Sequence, residues 1–490
     1  MYQHRELSRR RFLWSCASVP AALSVTRLTI SAASDPWAVA QTVLSRIQPP
    51  AFPDREFLVT QFGARPDGKT DCTQAFRKAI LACHQAGGGR VVVPAGEYLT
   101  GPIHLLSGVN LFVAEGATIR FVTDPKRYLP VVLTRFEGVE CMNYSPLIYA
   151  YEARRVAVTG KGVLDGQAGP EHWWPWKGRR ESGWREGQPH QEPARQKLFE
   201  MAERDVPVKE RVFGEGSYLR PSFIEPYRCQ DVLIEGVTIR NSPMWVIHPV
   251  LCRNVTVRGV TVESHGPNND GCNPECSQDV LIENCSFNTG DDCIAIKSGR
   301  NRDGRRVNVP SENIVIRRCR MKDGHGGVTI GSETSGGVRY VFAEECVMDS
   351  PRLDRVLRIK TNSVRGGTIE HIYLRRIQVG QVADAVVHVD LYYEEGDRGQ
   401  YPPTVRDIEV RDLTSQKSRY ALYLRGYPHA PIQDIRLVNC VFENVARPNL
   451  IEHVRNLAAE NVKLNGQPWQ LAFKHSLIRR GWPMRLSDAA

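Results

Sequence analysis

From residue 230 onward the chain repeats one phrase: a polar residue, a short run of Val, Ile and Leu, then Gly, Asn or Cys. Clear copies are Asp231-Val232-Leu233-Ile234-Glu235-Gly236, Asn254-Val255-Thr256-Val257-Arg258-Gly259, Asp279-Val280-Leu281-Ile282-Glu283-Asn284 and Asn313-Ile314-Val315-Ile316. Weaker copies begin at Arg339, His371, Asp407 and Asp434. Successive starts lie 23, 25, 34, 26, 32, 36 and 27 residues apart. Strands recurring at such a period without intervening helices predict a β-solenoid, not a βαβ sheet. Each coil adds about 4.8 Å along the axis by parallel pairing. No coil can bury its inward Val, Ile and Leu alone, so neighbours stack into one continuous core. The surplus residues of long coils must loop outward, and loops sharing one side of the tube wall a cleft.

The open end of a solenoid needs a cover. Thr70-Asp71-Cys72-Thr73 supplies helix-start residues, and Phe76, Ala79, Ile80 and Cys83 follow at helical spacing before Gly87-Gly88-Gly89 stops the helix. This predicts an amphipathic N-terminal capping helix, with strands resuming at Val91-Val92-Val93-Pro94. Residues 167–222 interrupt the repeat with Trp173, Trp174, Trp176 and Trp184, many charges and little periodicity. So long a break is ordinarily functional or disordered, and four Trp argue for a packed insertion at one end of the cleft. The expected organisation is a signal segment over 1–33, a linker over 34–56, the solenoid over 57–475 and a tail over 476–490.

The first residues read as an address. Ser8-Arg9-Arg10-Arg11-Phe12-Leu13 matches the bacterial twin-arginine export signal, a weakly apolar stretch follows to about Ile30, and Ser31-Ala32-Ala33 offers small residues for cleavage. A periplasmic or secreted protein is expected. No run of 18 apolar residues exists, so no permanent membrane span is expected. Net charge is +10, of which five Arg and one Glu in the first 33 residues account for +4. The remaining +6 suits an acidic polymer, nucleic acid or polygalacturonate, or a plain solvated surface. Of 13 cysteines one lies in the signal segment. The others show no zinc-ligand spacing, and Cys285, Cys319, Cys346 and Cys440 recur at a similar point of the repeat, as small buried core residues do.

Candidate chemistry lies at the coil edges. Asn268-Asn269-Asp270-Gly271, Gly290-Asp291-Asp292-Cys293 and Gly324-His325-Gly326-Gly327 occupy corresponding places in successive coils. Stacking brings Asp270 beside Asp291 and Asp292. Crowded carboxylates repel and push one pKa upward, and a proton held on one while others stay ionised is what glycoside cleavage needs. Each element alone is bland: an Asp pair is ordinarily a solvated turn, His325 a structural hydrogen-bonder, and Arg358-Ile359-Lys360 an exposed edge. Their order is what carries information.

That order, Asn-x-Asp, Gly-Asp-Asp, Gly-His-Gly, Arg-Ile-Lys, resembles glycoside hydrolase family 28, the polygalacturonase family. The similarity spans nearly all of the chain after the signal segment. The opening Val59–Gly68 with Gly87–Pro94 resembles the start of many pectin-active β-helices. Asn268 and Asp270 match the first element, with Asn269 replacing the usual Thr. The resemblance implies a right-handed, single-stranded parallel β-helix of the pectin-lyase type and an inverting mechanism. Asp291 would be the general acid, and Asp270 and Asp292 would hold and activate water. The acid and base carboxyls would then lie about 6.5–9.5 Å apart. His325 would tune the acid's protonation or touch substrate, and Asn268 would bind substrate. Arg358 and Lys360 would grip a galacturonate carboxylate. No cofactor or metal is required, and the implied partner is pectin or its oligogalacturonides, not nucleic acid. Gly326–Glu333 followed by Ser335-Gly336-Gly337 is similar to the exo-acting bacterial branch. Alternatives are a hydrolase of branched or rhamnose-containing pectin, a non-catalytic pectin-binding β-helix, and a calcium-dependent lyase. Arg358 and Lys360 disfavour the first and the acidic cluster the second; a lyase would need a basic catalyst and a calcium nest, and insensitivity to chelator with products lacking a new double bond would exclude it.

Overall fold

The computed structural model describes residues 35–469. The signal segment and the tail expected over 476–490 lie outside the described residues. Each coil contributes a strand to one long parallel ladder, from Glu56–Leu58, Gly89–Val93, Val109–Val113 and Arg154–Gly160 through Gln230–Glu235 to Val454–Glu460. The chain is a right-handed parallel β-helix. Its register explains the repeated phrase. Val232, Val255, Val280, Ile314, Val341, Ile372, Ile408, Ile435 and Leu457 pair in succession and form one buried aliphatic line. Each such side chain contributes about 1.5–3 kcal/mol of transfer free energy, available only when the next coil covers it.

The polar residue that leads the phrase marks a backbone corner. φ is 60° at Asp231, 56° at Asn254, 55° at Asp279, 59° at Asn313 and 54° at Asp407. Asn and Asp enter this left-handed region at least cost among residues with a Cβ. They also ladder, as when Asn254 Nδ2 donates to Asp231 Oδ1 at 2.6 Å. In the fifth coil the corner falls at Tyr340 (φ 56°), one residue after the expected Arg339, because Val341 is the partner of Ile314. Cys285, Cys319 and Cys346 stack at the following corner, where Arg320 N donates to Cys285 O and Val347 N to Cys319 O. All twelve cysteines among the described residues are buried and free.

The capping helix, α2 over Thr73–Gln85, buries Ala75, Phe76, Ala79, Ile80 and Cys83 against the first coil. Thr73 N donates to Asp71 Oδ1 at 2.9 Å, so the start is capped from two residues before the first helical residue. Gly88 (φ 107°) closes the turn where a Cβ would meet Gly108 O at 2.6 Å.

The segment expected as a linker over 34–56 contains a helix among its described residues. Helix α1, Pro36–Arg46, lies on the outside of the tube and buries Trp37, Ala40 and Val43. They pack with Ile47 on Leu281, Val315, Phe342 and Tyr373, outward-facing residues of four successive coils. Arg375 lies 3.8 Å over the Trp37 ring, and Arg46 bonds Asp279 at 2.7 Å.

The insertion expected over 167–222 lies between strands Val163–Asp165 and Ile224–Tyr227. It contains helix α3, Glu192–Glu203, and is packed rather than extended. Leu198, Ala202, Phe213 and Leu219 form a small core with Phe136, Val139 and Cys141 of the antiparallel hairpin Val132–Phe136/Val139–Asn143, and with Met244 and Trp245 of the tube. Trp173 is buried edge-on to Tyr128 and Trp176, and Trp174 Nε1 donates to Ser242 O at 2.9 Å.

Candidate active site

The three acidic segments come together because their coils are consecutive rungs. Gly271 N donates to Asp292 O at 2.9 Å, Cys293 N to Gly326 O at 2.8 Å, and His325 N to Asp291 O at 3.1 Å. A six-stranded parallel sheet continues the same face through Ile294–Ile296, Val328–Gly331, Arg355–Lys360 and Ala385–Asp390 to Leu450–Glu452. In Arg355–Lys360, Leu357 and Ile359 fill the core, so Arg358 and Lys360 point outward to the acids. Lys360 Nζ lies 2.7 Å from Asp292 Oδ2, and Arg358 reaches Asp292 Oδ1 at 3.0 Å. Thr329, opposite Arg358 in register, donates to the same oxygen at 2.9 Å. The structure therefore gathers Asp270, Asp291, Asp292, His325, Arg358 and Lys360 on one patch.

The three carboxylates differ in access. The Asp292 side chain is 0% exposed and that of Asp270 3%, whereas Asp291 keeps 17% and His325 50%. Their electrostatics differ as well. Burial drives the Asp270 carboxyl upward; Lys297 opposes this, Asp291 and Asp292 reinforce it, and the group is pushed up to about 7. Burial is the largest effect on Asp291 and opposes its ionisation, but the His325 hydrogen bond at 3.0 Å together with the charges of His325 and Lys360 holds Asp291 below the ordinary range. The same bond, with the Asp291 charge, raises the imidazole of His325. At Asp292 burial is overwhelmed by Lys360, Arg358 and Lys297, which keep it ionised. Of the three carboxyls Asp270 therefore holds a proton most readily, while Asp291 is paired with His325 and Asp292 with two cations.

Asn268 stands at the edge of this group. It occupies a left-handed corner (φ 57°), and its Oδ1 accepts from the buried Arg220 of the insertion at 2.8 Å. Asn269, at the position where Thr is usual, is fully buried and builds the turn. Its amide donates to the Ser242 and Met244 carbonyls, and its Oδ1 accepts from Ser264 and Gly266. It supports Asp270 without facing the cleft.

Several residues of the site lie outside the four-element pattern. Lys297 lies 3.3 Å from Asp270, with Glu333 3.2 Å away on its other side. Arg300 bridges Glu333 to Glu137 of the hairpin and to Glu394 and Glu395. The Tyr393 ring lies 5.4 Å from Lys360 Nζ and 5.7 Å from the Arg358 guanidinium. A signal for Lys297 does exist: a Lys directly after the apolar Ile294-Ala295-Ile296 is out of place unless paired.

Residues 214–459 match the family model for glycosyl hydrolases family 28. The chain belongs to glycoside hydrolase family 28. Residues 57–119 match a second model, described as rhamnogalacturonase A/epimerase, pectate lyase-like. A probable polygalacturonase of Vitis vinifera is 30% identical over 404 residues, 79% of this chain and 74% of that protein. An exo-poly-alpha-D-galacturonosidase of Dickeya chrysanthemi is 27% identical over 451 residues, 84% of this chain and 72% of its own length. Among solved structures, a hyperthermoactive exopolygalacturonase from Thermotoga maritima is 49% identical with a TM-score of 0.86, covering 88% of this chain and 96% of that one. The family membership agrees with the stacked acids, and the insertion and α1 are part of how this member is built.

Proposed function

We propose that this family 28 hydrolase is a polygalacturonase that removes galacturonate from chain ends with inversion. The observation that carries the reading is the pairing of Asp292 with Arg358 and Lys360 beside two further carboxylates. A guanidinium and an ammonium on one face suit the carboxylate of a uronic acid, and the adjacent acids suit the glycosidic bond next to it. Asp291, the carboxyl with cleft access, protonates the leaving oxygen. His325 supplies the proton through their 3.0 Å bond. Asp270 and Asp292 hold the attacking water on the opposite face.

Substrate itself adjusts this order. A galacturonate carboxylate drawn to Arg358 and Lys360 competes for the cations that keep Asp292 a weak base. It also places a negative charge near Asp291, which favours the neutral acid there. Asp292 gains basicity and Asp291 gains its proton at the same step.

Attack at chain ends is supported by the walls on the N-terminal side of the acids. Trp174 packs against the coil at Gly266, where a Cβ would meet its ring at 2.2 Å, and Arg220 ties the insertion to Asn268. The Thermotoga maritima exopolygalacturonase resembles this chain over most of both lengths. Polygalacturonate incubated with the enzyme should release monomer or dimer from the first minutes while polymer length falls slowly. An early ladder of intermediate sizes would refute chain-end attack, and no product at all would refute the substrate. Export to the periplasm or the medium by the twin-arginine route is part of the same proposal and rests on Ser8–Leu13. Arg9→Lys with Arg10→Lys should retain the enzyme in the cytoplasm.

A further inference from the structure

We propose that Lys297 is a positioning residue of the hydrolytic site: it fixes the Asp270 carboxyl and keeps it available as a base, and Glu333 fixes Lys297. The inference rests on the hydrolase reading above and adds a residue to it.

An ammonium has three protons to donate. Those of Lys297 face Asp270 Oδ2 at 3.3 Å, Glu333 Oε2 at 3.2 Å and the Gly331 carbonyl at 3.3 Å. The Trp245 ring packs against Lys297, 4.4 Å from Nζ. With 3% of its side chain exposed, Lys297 has no route to a sugar. Lys360 differs: it pairs with Asp292 and keeps 8% of its side chain exposed. The sole direct ion-pair partner of Lys297 among the three acids is Asp270.

A purely structural purpose does not explain the arrangement. Burying an ammonium is expensive, and a buried ion pair is ordinarily matched or bettered by apolar side chains of similar size. What apolar side chains cannot supply is a positive charge beside Asp270. The charged groups facing Asp270 are Lys297, Asp291, Asp292 and Lys360. Those facing Lys297 are Glu333, Asp270, Asp292 and Asp291. Of the two cations facing Asp270, Lys297 has the larger effect, and without it burial and two like charges act on the carboxyl against Lys360 alone. Glu333 is in turn held by Arg300, which also meets Glu137 of the hairpin and Glu394 and Glu395 of a later coil. The seat of Lys297 is therefore fixed from three separate parts of the chain, one of them the hairpin that packs with the insertion.

The test compares Lys297→Met, Lys297→Arg and the double variant Lys297→Met/Glu333→Gln, which leaves neither member of the pair buried with a lone charge. Trigalacturonate hydrolysis by the wild type comes first; its absence would sink the substrate reading. The Lys297 role is then read from the pH profile of kcat/KM. Loss of the cation should move the acidic limb to higher pH by about 1–3 units, with kcat reduced and KM little changed, in both Met variants. Lys297→Arg should keep the limb near its wild-type position. Titration of the Asp270 carboxyl by NMR, assigned with Asp270→Asn, reports the same shift without turnover. A limb and a titration unmoved in the double variant, whatever its melting temperature, would overturn the proposal and leave Lys297 a structural residue.

Discussion

Asp291→Asn separates the acid from the base among three adjacent carboxylates. The substitution keeps size and shape, and the side chain is only partly buried beside a half-exposed imidazole. Loss of such a pair costs at most about 1 kcal/mol of stability. The chemical cost is larger. Removing a general acid lowers rate by about 10²–10⁴-fold, equivalent to about 2.7–5.4 kcal/mol of barrier at 1.36 kcal/mol per decade. His325 loses the bond and the charge that raise it, and so returns toward its ordinary value. Of the three carboxyls it is Asp270 that is pushed up and Asp291 that is held low, so the assignment of Asp291 as acid needs a direct test. A leaving group that departs unaided provides one. On trigalacturonate, Asp291→Asn should show the full loss in kcat, while on 4-nitrophenyl galacturonide it should stay within about tenfold of wild type. Asp270→Asn and Asp292→Asn should fail on both substrates, because water activation is needed for each. Initial rates on the two substrates, with circular dichroism to confirm the fold, decide the matter. Equal losses for Asp291→Asn on both substrates, or selective recovery of Asp270→Asn on the aryl substrate, would refute the assignment; the latter would make Asp270 the acid.

Three further outcomes follow from the same geometry. Lys360→Ala should lower kcat/KM on oligogalacturonate by roughly 10–100-fold, the worth of a charge-assisted hydrogen bond of about 1.5–3 kcal/mol, and by much less on the methyl ester, measured as paired progress curves. Asp270→Asn should stabilise the protein as pH rises: a carboxyl raised from 3.8 to about 7 by burial favours the fold below pH 3.8 and loses that contribution through pH 7, about 4 kcal/mol in all. Urea midpoints should then diverge in favour of the variant between pH 4 and pH 8, and parallel curves would contradict the shift. Trp37→Ala should cost about 3–5 kcal/mol by emptying the contact of α1 with Phe342 and Tyr373, seen as a lower melting temperature with an unchanged product pattern.

What the amino-acid sequence disclosed follows from how a solenoid uses it. The aliphatic line from Val232 to Leu457 and the left-handed corners at Asp231, Asn254, Asp279 and Asn313 recur once per coil, so both the strands and their boundaries were readable. The one-residue displacement at Tyr340 shows the limit: Arg339 is polar enough to lead the phrase, and only pairing distinguishes it from its neighbour. Asp270, Asp291, Asp292, His325, Arg358 and Lys360 were legible for the same reason, because order along the chain becomes order along the cleft when coils stack. Helix α1 escaped this logic. Its partners are outward residues such as Leu281 and Val315, each flanked by inward ones, so the runs read as ordinary core strands. Yet a solenoid strand apolar on both faces must be covered on both, and that surplus was the available sign that something packs outside.

The residues that remained hidden share a different property: their partners come from coils joined by no common phrase. Glu137 lies on a hairpin, Arg195 on α3, Arg300 at the start of α4 (Asn301–Val307), Glu333 beyond the strand Val328–Gly331, and Glu394 in a later loop. No period relates them, and apart from Glu333, which closes the Gly326–Glu333 stretch, each alone is an unremarked charge. What links them is a chain of ion pairs that runs from Arg195 through Glu137 and Arg300, which also meets Glu394, to Glu333 and ends on the buried Lys297 beside Asp270. A repeat architecture stacks the first layer of a site almost automatically, since register places it. Its second layer must be recruited from the irregular segments, and there Lys297, a cation placed directly after a buried apolar run, is the point at which the regular tube and the irregular walls are tied together.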